Sequence, residues 1–359
     1  MGKVTAVNDI TAINNYAGQY RSQIITSIVN SLDVVQDLTV LRNLRAPRVL
    51  PKYTGKKGLR PYDSSVNRAS GQAGTWSKRT IVPRTSMKII EVLPEELRKT
   101  FLSEGLAANA PTYPGGFAQY FWDEQQKTLS AEINDEFYLS VDPEAIADYV
   151  AGNSYTAGQR VAFGTDFFEC TASATANQSP TANPEKWVNI NGKCLGDGLG
   201  TIINAEYANL PAANKIATGL LTETNCYDKV TGFYMSMLPA HQKLGGTIYC
   251  SYNVMGKYQL ALAEKFKNGT SMFQVPGSVS LYIFGSANKW VLKPVTWMNG
   301  SQRLIGTQKE NLYFGTDVTS DMDSIGKMIE TLHGANYIYK MIIASQIADL
   351  STLYLNDQA

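Results

Sequence analysis

The chain has 359 residues, 44% of them hydrophobic and 18% charged, with a formal net charge of +1. Disorder needs lower hydrophobicity and uncompensated charge, so this composition excludes an unstructured chain and predicts one to three folded domains. No apolar run approaches the roughly 20 residues that cross a bilayer. The opening residues, MGKVTA, carry neither the apolar stretch of a signal peptide nor the serine or threonine of an acylation signal.

In chain order, residues 8–32 predict a helix. Asn8 or Asp9 caps it, and Ile13, Tyr16, Tyr20, Ile24, Ile28 and Leu32 recur at spacings of three and four. Residues 47–74 are punctuated by proline and glycine and hold too few large apolar side chains for a core, which predicts an extended loop. Lys52, Lys56, Lys57, Arg60 and Arg68 make that loop basic. β-formers at 80–82 and 87–92 predict its returning strand and then a strand running back into the body.

Pro94 opens a short predicted helix, and a longer one spans about 117–139 behind the breaker at 114–116. Phe117, Phe121, Leu129, Ile133 and Phe137 fall on a four-residue spacing in it, with acids on the other faces. Residues 150–190 then turn rich in Ala, Thr, Gly, Asn and Ser with isolated aromatics, the texture of a small all-β insert. Past the glycines of 196–200 the mixed pattern returns. It predicts a strand at 247–250, a helix at 255–266, and strands at 280–284 and 290–297. The whole reads as an α+β body interrupted by a small β unit.

Charge is unevenly placed. Between Arg42 and Lys88 twelve Lys or Arg stand against Asp63 alone, a local +11, whereas 91–142 is a local −7. A basic stretch beside an acidic one predicts self-association more than nucleic-acid binding. The four cysteines, 170, 194, 226 and 250, form no C-x-x-C pair and predict free thiols rather than a metal site. No catalytic or cofactor-binding residues are predicted. The 55–58 turn lacks the Walker spacing, and GDGLG at 196–200 has no apolar strand feeding it, so it reads as a turn. His241 and His333 lack partner motifs, and Asp321 and Asp323 read as helix caps.

The C-terminal third holds RLIGT at 303–307, NLYFGTD at 311–317, Asp321, MIIASQI at 341–347 and Tyr354 to Asn356. With the preceding elements in their order, these runs resemble the major capsid protein of tailed bacteriophages, the Hong Kong 97-type fold. The resemblance implies an N-terminal arm (1–46), an extended loop with returning strands (47–92) and a peripheral domain with a spine helix (93–142). It further implies a mainly axial domain (193–310) and C-terminal peripheral and axial elements (311–359), with the insert at 143–192. Implied partners are further copies in hexamers and pentamers, packaged DNA held by diffuse contact, a portal, and scaffold or auxiliary capsid proteins. The implied location is the virion shell, assembled in the host cytoplasm, with no enzyme activity, cofactor or membrane.

A second resemblance concerns the insert alone. Tyr149, Tyr155, Gly158, Val161, Phe163, Phe167, Phe168, Cys170, Pro180, Pro184 and Trp187 are spaced as in a chitin-binding-type carbohydrate-binding module. Tyr149 stands where that family usually has tryptophan. The likeness implies Tyr149, Tyr155, Phe163, Phe168 and Trp187 as the aromatics of the module, with a glycan as its ligand. It also supplies the alternative function: a polysaccharide-binding protein or polysaccharide-degrading enzyme. Against the enzyme, no chitinase-like acidic signature is present.

Overall fold

The computed structural model describes residues 31–56, 58–59, 61–62, 74–92, 116–266, 273–317, 327–330 and 335–358. Nearly all of the predicted 8–32 helix, the helix begun at Pro94, Lys57, Arg60, Arg68, Asp321, Asp323 and His333 lie outside them.

The long helix runs over Gly116–Glu136, ending three residues short of the predicted 139. Its inward stripe is Trp122, Gln126, Ser130, Ile133 and, just past its end, Phe137, all buried. Phe121 is only half-buried. The core contact therefore centres on Trp122, which the four-residue spacing passes over. Its indole lies edge-on to Tyr337 and Tyr339, with centroids 5.6 and 5.5 Å away.

Those tyrosines belong to Ala335–Ile347, a 13-residue strand. Arg84–Val92 pairs antiparallel with it over 335–343, and Leu312–Gly315 takes over at 344–347. Lys327–Glu330 folds back on its start, and Thr39–Leu41 runs parallel to Leu312–Gly315. The long helix covers one face of this sheet.

A six-stranded sheet forms the second layer. Its central strand, Gly246–Ser251, is flanked by Trp290–Val295 and Ile305–Thr307, with Leu281–Tyr282, Tyr354–Asn356 and Lys215–Ile216 further out. Side chains alternate across a strand, and here both faces are buried. Ile248 and Cys250 join one apolar cluster with the Cys226–Met235 and Tyr252–Phe266 helices, while Tyr249 joins the long helix and Trp297 in another. The predicted 280–284 strand shortens to Leu281–Tyr282, and 290–297 ends at Val295 before a single 3₁₀ turn.

Polar residues of the C-terminal runs tie the layers together. Buried Arg303 donates to the Asn356 carbonyl (2.7 Å) and to Asn204 Oδ1 (2.8 Å). Asn311 donates to the Asp349 carbonyl (2.8 Å) and accepts from the Asp349 N–H (2.7 Å). A buried polar group is stable only when so partnered, which explains these residue types inside apolar runs.

Residues 143–193 form a third sheet of three strands, Arg160–Phe163, Asp166–Cys170 and Trp187–Asn189. Val161, Cys170, Ala174 and Trp187 make a separate small core beneath it. The chain leaves and re-enters the body side by side: Val141 N–H donates to the Lys193 carbonyl (2.9 Å) and Gly196 N–H to the Val141 carbonyl (3.2 Å).

Candidate assembly surface

The extended basic segment forms a two-stranded antiparallel ribbon, Arg48–Gly55 against Gly74–Ile81. Its base is anchored where Leu50 and Ile81 pack on Leu44 and Ala344. Among its described residues the ribbon has no core beyond the base. Tyr53 and Trp76 face each other across it, with centroids 4.9 Å apart, and are 46% and 73% exposed. Leu59 and Tyr62, nearer the tip, are almost fully exposed. A lone two-stranded ribbon is at best marginally stable in water, and apolar side chains gathered on one project at a partner.

The cations of this region divide into two sets. Lys52 forms an ion pair with Asp349 and donates to Ser351 Oγ (2.8 Å). Arg79 reaches Glu206 (2.9 Å), Arg84 holds Asp142 and Glu144 (2.6 Å each), and Lys88 meets Glu132 on the long helix (2.5 Å). Arg45 pairs with the buried Asp317 (2.9 Å). Part of the acidic complement is met inside the chain, because the long strand brings 84–88 alongside the long helix. Lys52, one of the predicted site residues, belongs to this internal set. Lys56 stays exposed near the tip.

Electrostatics follow the pairing. Burial pushes the Asp349 carboxyl up, but the Lys52 ammonium and the Ser351 N–H and hydroxyl outweigh it and hold the group below its ordinary range. At Arg84 the hydrogen bond to Asp142 raises an already high value further, against desolvation.

The insert's aromatics are turned on one another. Tyr149 stacks on Tyr155 (5.4 Å) and meets Phe163 edge-on (5.5 Å). Trp187 is 4% exposed and donates its indole N–H to the Gln178 carbonyl (3.1 Å). Phe168 packs against the same core. Sugar rings bind on open aromatic faces; of these five rings Trp187 is buried and Tyr149, Tyr155, Phe163 and Phe168 are half-buried. The aromatics predicted from spacing are thus brought together, with Tyr149, Tyr155 and Phe168 packed against the core around Trp187 and Phe163 against Tyr149.

The remaining sequence candidates that lie among the described residues are structural. His241 Nδ1 lies 2.7 Å from the Tyr354 hydroxyl. The glycines of 196–200 close the end of the long helix: Gly198 and Gly200 N–H groups donate to the Ser140 and Tyr138 carbonyls (2.9 and 2.8 Å). A Cβ at Gly198 would stand 2.2 Å from the Phe137 carbonyl oxygen, and one at Gly200 would stand 2.7 Å from the Tyr138 ring. Close packing, not a phosphate, explains the motif. Gly198 then starts a helix, Leu199–Glu206, that the turn reading did not include. Among the described residues no helix is long and apolar enough to cross a membrane, and no three His, Cys, Asp or Glu gather as metal ligands.

Sequence reasoning also missed the Tyr53–Trp76 pair and the internal ion pairs. An aromatic on each arm of a glycine-rich loop signals the first. Nothing local signals the second, since Arg79 and Glu206 are 127 residues apart.

No protein-family model and no curated protein sequence matches the chain. Solved structures do. A chain of the satellite phage P4 procapsid that includes the size determination (Sid) protein aligns over 93% of this chain and 89% of its own, with a TM-score of 0.51 and 10% identity. A chain from Gordonia phage Cozz aligns over 90% and 86% (TM-score 0.47, 10% identity). One from the capsid of Myoviridae phage XM1 aligns over 90% and 91% (TM-score 0.43, 9% identity). At such identities the likeness speaks for the fold, and the P4 match carries it: the chain has a mixed α/β fold of the Hong Kong 97 capsid type.

Proposed function

We propose that the chain is a shell-building structural protein, the major capsid protein of a tailed bacteriophage, and that copies of it assemble into the icosahedral shell around the genome. The observation that carries this reading is the coreless ribbon with exposed Tyr53, Trp76, Leu59 and Tyr62, set on a capsid-type fold. Burying a Tyr or Trp removes 150–250 Å² from water. Tyr53 and Trp76 are already partly covered, so at about 25 cal/mol per Å² their still-exposed parts set an upper bound of roughly 2–4 kcal/mol each, before the costs of association. Lys56, with Lys57, Arg60 and Arg68, would add charge attraction to acids of a neighbour that are not already paired at home. The insert, leaving and returning at one point, is read as a decoration on the outer face, and DNA as held inside by diffuse positive charge.

A polysaccharide-binding role is the weaker reading, because Trp187 is buried and Tyr149, Tyr155 and Phe168 are partly engaged in packing against the insert's own core. The test is sedimentation and electron microscopy of the purified full chain. Megadalton closed particles are expected. Replacing Tyr53 and Trp76 together by serine should leave the melting temperature of the unassembled subunit within about 2 °C and abolish particles. A parent protein that stays a soluble monomer across salt and concentration would overturn the proposal.

A further inference from the structure

The two large sheets end mostly on short strands. Thr39–Leu41 and Lys327–Glu330 lie outermost in the sheet under the long helix, and Leu281–Tyr282 and Lys215–Ile216 in the six-stranded one, two to four residues each. A short outer strand offers a partner little unpaired main chain. Arg84–Val92 breaks the pattern. It pairs with the long strand over nine consecutive residues without a bulge, and it holds no proline or glycine. Among the described residues nothing pairs with its other side, so alternate N–H and C=O groups of 85–91 point outward.

Its side chains do not guard that edge. Met87 and Ile89 lie opposite Lys340 and Ile338, on the face turned away from the long helix, and are 60% and 54% exposed. The cation between them, Lys88, is turned to the other face, where Glu132 of the long helix pairs with it. The insert stands on that same helix side, where Phe167 shares a cavity with Leu129 and Ile133. A long unpaired strand with apolar side chains and its lysine neutralised is a template for another strand.

We propose that this edge pairs with the same edge of a second copy, antiparallel about a two-fold axis through Lys88, so that two sheets become one. The side chains select the register. With the axis at Lys88, Met87 lies opposite the partner's Ile89, and Ile89 opposite the partner's Met87. All four exposed apolar side chains then cover one another, with directly opposed Cβ atoms about 5 Å apart. Thr85 meets the partner's Glu91, a hydroxyl beside an exposed carboxylate. Moving the axis to Met87 would set Ile89 against Thr85, and moving it to Ile89 would set Met87 against Glu91. On the helix side the two Lys88 ammoniums approach, but each brings its own Glu132, so the like charges are balanced. Such a contact is self-complementary and closes on a dimer. It uses a different strand from the ribbon and belongs to the subunit, so it does not require a closed shell.

The experiment makes Met87→Cys and Ile89→Cys separately in a Cys194→Ser background, which leaves only the buried thiols of Cys170, Cys226 and Cys250. Both sites are exposed, and an unchanged melting temperature confirms that each variant folds. Each full-length variant alone, and the two co-expressed, is oxidised with copper phenanthroline and run on a non-reducing denaturing gel. Co-expression should give about tenfold more covalent dimer than either variant alone, because only directly opposed residues reach the roughly 4.4–6.8 Å Cα separation of a disulfide. Peptide mass should identify the bond between positions 87 and 89. Met87→Lys puts a charge opposite the partner's Ile89 twice per dimer. It should weaken dimerisation of free subunits about tenfold by sedimentation without moving their melting temperature.

Three results would overturn the proposal: no covalent dimer above the single variants; dimer from one variant alone, which would put the axis elsewhere; or dimerisation unchanged by Met87→Lys. Failure here is separable from failure of the shell reading. Particles without the 87–89 bond would remove this contact and keep the shell, whereas bonded dimers without particles would do the reverse.

Discussion

A Cβ added at Gly198 meets two main-chain oxygens, those of Phe137 and Tyr138, at 2.2 and 2.5 Å. Neither can move without opening the end of the long helix, where the Ser140 hydroxyl also donates to the Phe137 and Gly196 carbonyls (3.0 and 2.7 Å). Gly198→Ala is therefore expected to destabilise the subunit by about 3 kcal/mol, at the upper end of ordinary overpacking, measured by chemical denaturation of unassembled protein. Its φ of −71° is open to any residue, so the effect is one of space and not of backbone freedom. Asp357 gives a second test at this scale. Burial alone would raise its carboxyl, but the Thr218 N–H, Gln358, and the Gly219 N–H bring it down to about 2. A carboxylate held low contributes stability above its unfolded value near 4, lost as pH falls through the folded one. Melting temperature should accordingly drop between pH 4 and pH 2. Asp357→Asn should flatten that part of the curve, and an unchanged acid limb would show that other carboxylates dominate it.

The ribbon is the element on which assembly is argued, and its cations must be handled by set. Reversing Lys56, Lys57 and Arg60 to glutamate leaves the internal pairs of Lys52, Arg79, Arg84 and Lys88 intact, so subunit melting should barely move. An exposed pair is worth about 0–1 kcal/mol, yet a shell repeats the penalty at every contact. Particle yield at low salt should fall at least tenfold and recover in part as salt screens the repulsion. Normal yield from the triple reversal would remove charge from the clamp and leave the aromatics alone in it. How legible such elements are from sequence depends on the range of the forces that make them. The long helix and the strands at 80–92, 247–250 and 290–297 were readable because their periodicity is local. The predicted stripe agrees with the buried face at Ile133 and Phe137 and has Phe121 and Leu129 at its margin, but it passes over Trp122, which tertiary contact with Tyr337 and Tyr339 selects and four-residue spacing does not. For the same reason the ribbon's basic character was visible, whereas the division of its cations into internal and free ones was not. Partners such as Arg79 and Glu206 meet only once the sheet has formed.

At the scale of the whole molecule, two sheets share one continuous interior while the insert keeps its own. Tyr249, Val295, Ile305 and Leu355 carry the six-stranded sheet into the core built on the long helix, so neither layer buries its apolar face without the other. The insert's cluster of Val161, Cys170, Ala174 and Trp187 includes no residue of the body. Among the described residues its links to the body are the paired stems at 141 and 193–196, the Arg84 ion pairs to Asp142 and Glu144, and a cavity of about 430 Å³ lined by Phe167 and Asn191 on one side and Leu129, Ile133 and Tyr339 on the other. Because the stems are already hydrogen-bonded to each other, replacing residues 145–191 by a short Gly/Ser linker closes a loop whose ends meet, and the entropic cost grows only slowly with its length. The excised chain is expected to melt within about 5 °C of the parent, because the stems and the Arg84 ion pairs to Asp142 and Glu144 are kept and only the body surface that the insert covers is lost. Particles should form with normal yield, their surface lacking one protrusion per subunit by electron microscopy. In the same particles Cys194 should alkylate faster than in the parent, since Phe167, Asn191 and the rest of the insert no longer cover it. A stable excised subunit that forms no particles would place the insert in the contacts between copies and end its reading as a decoration.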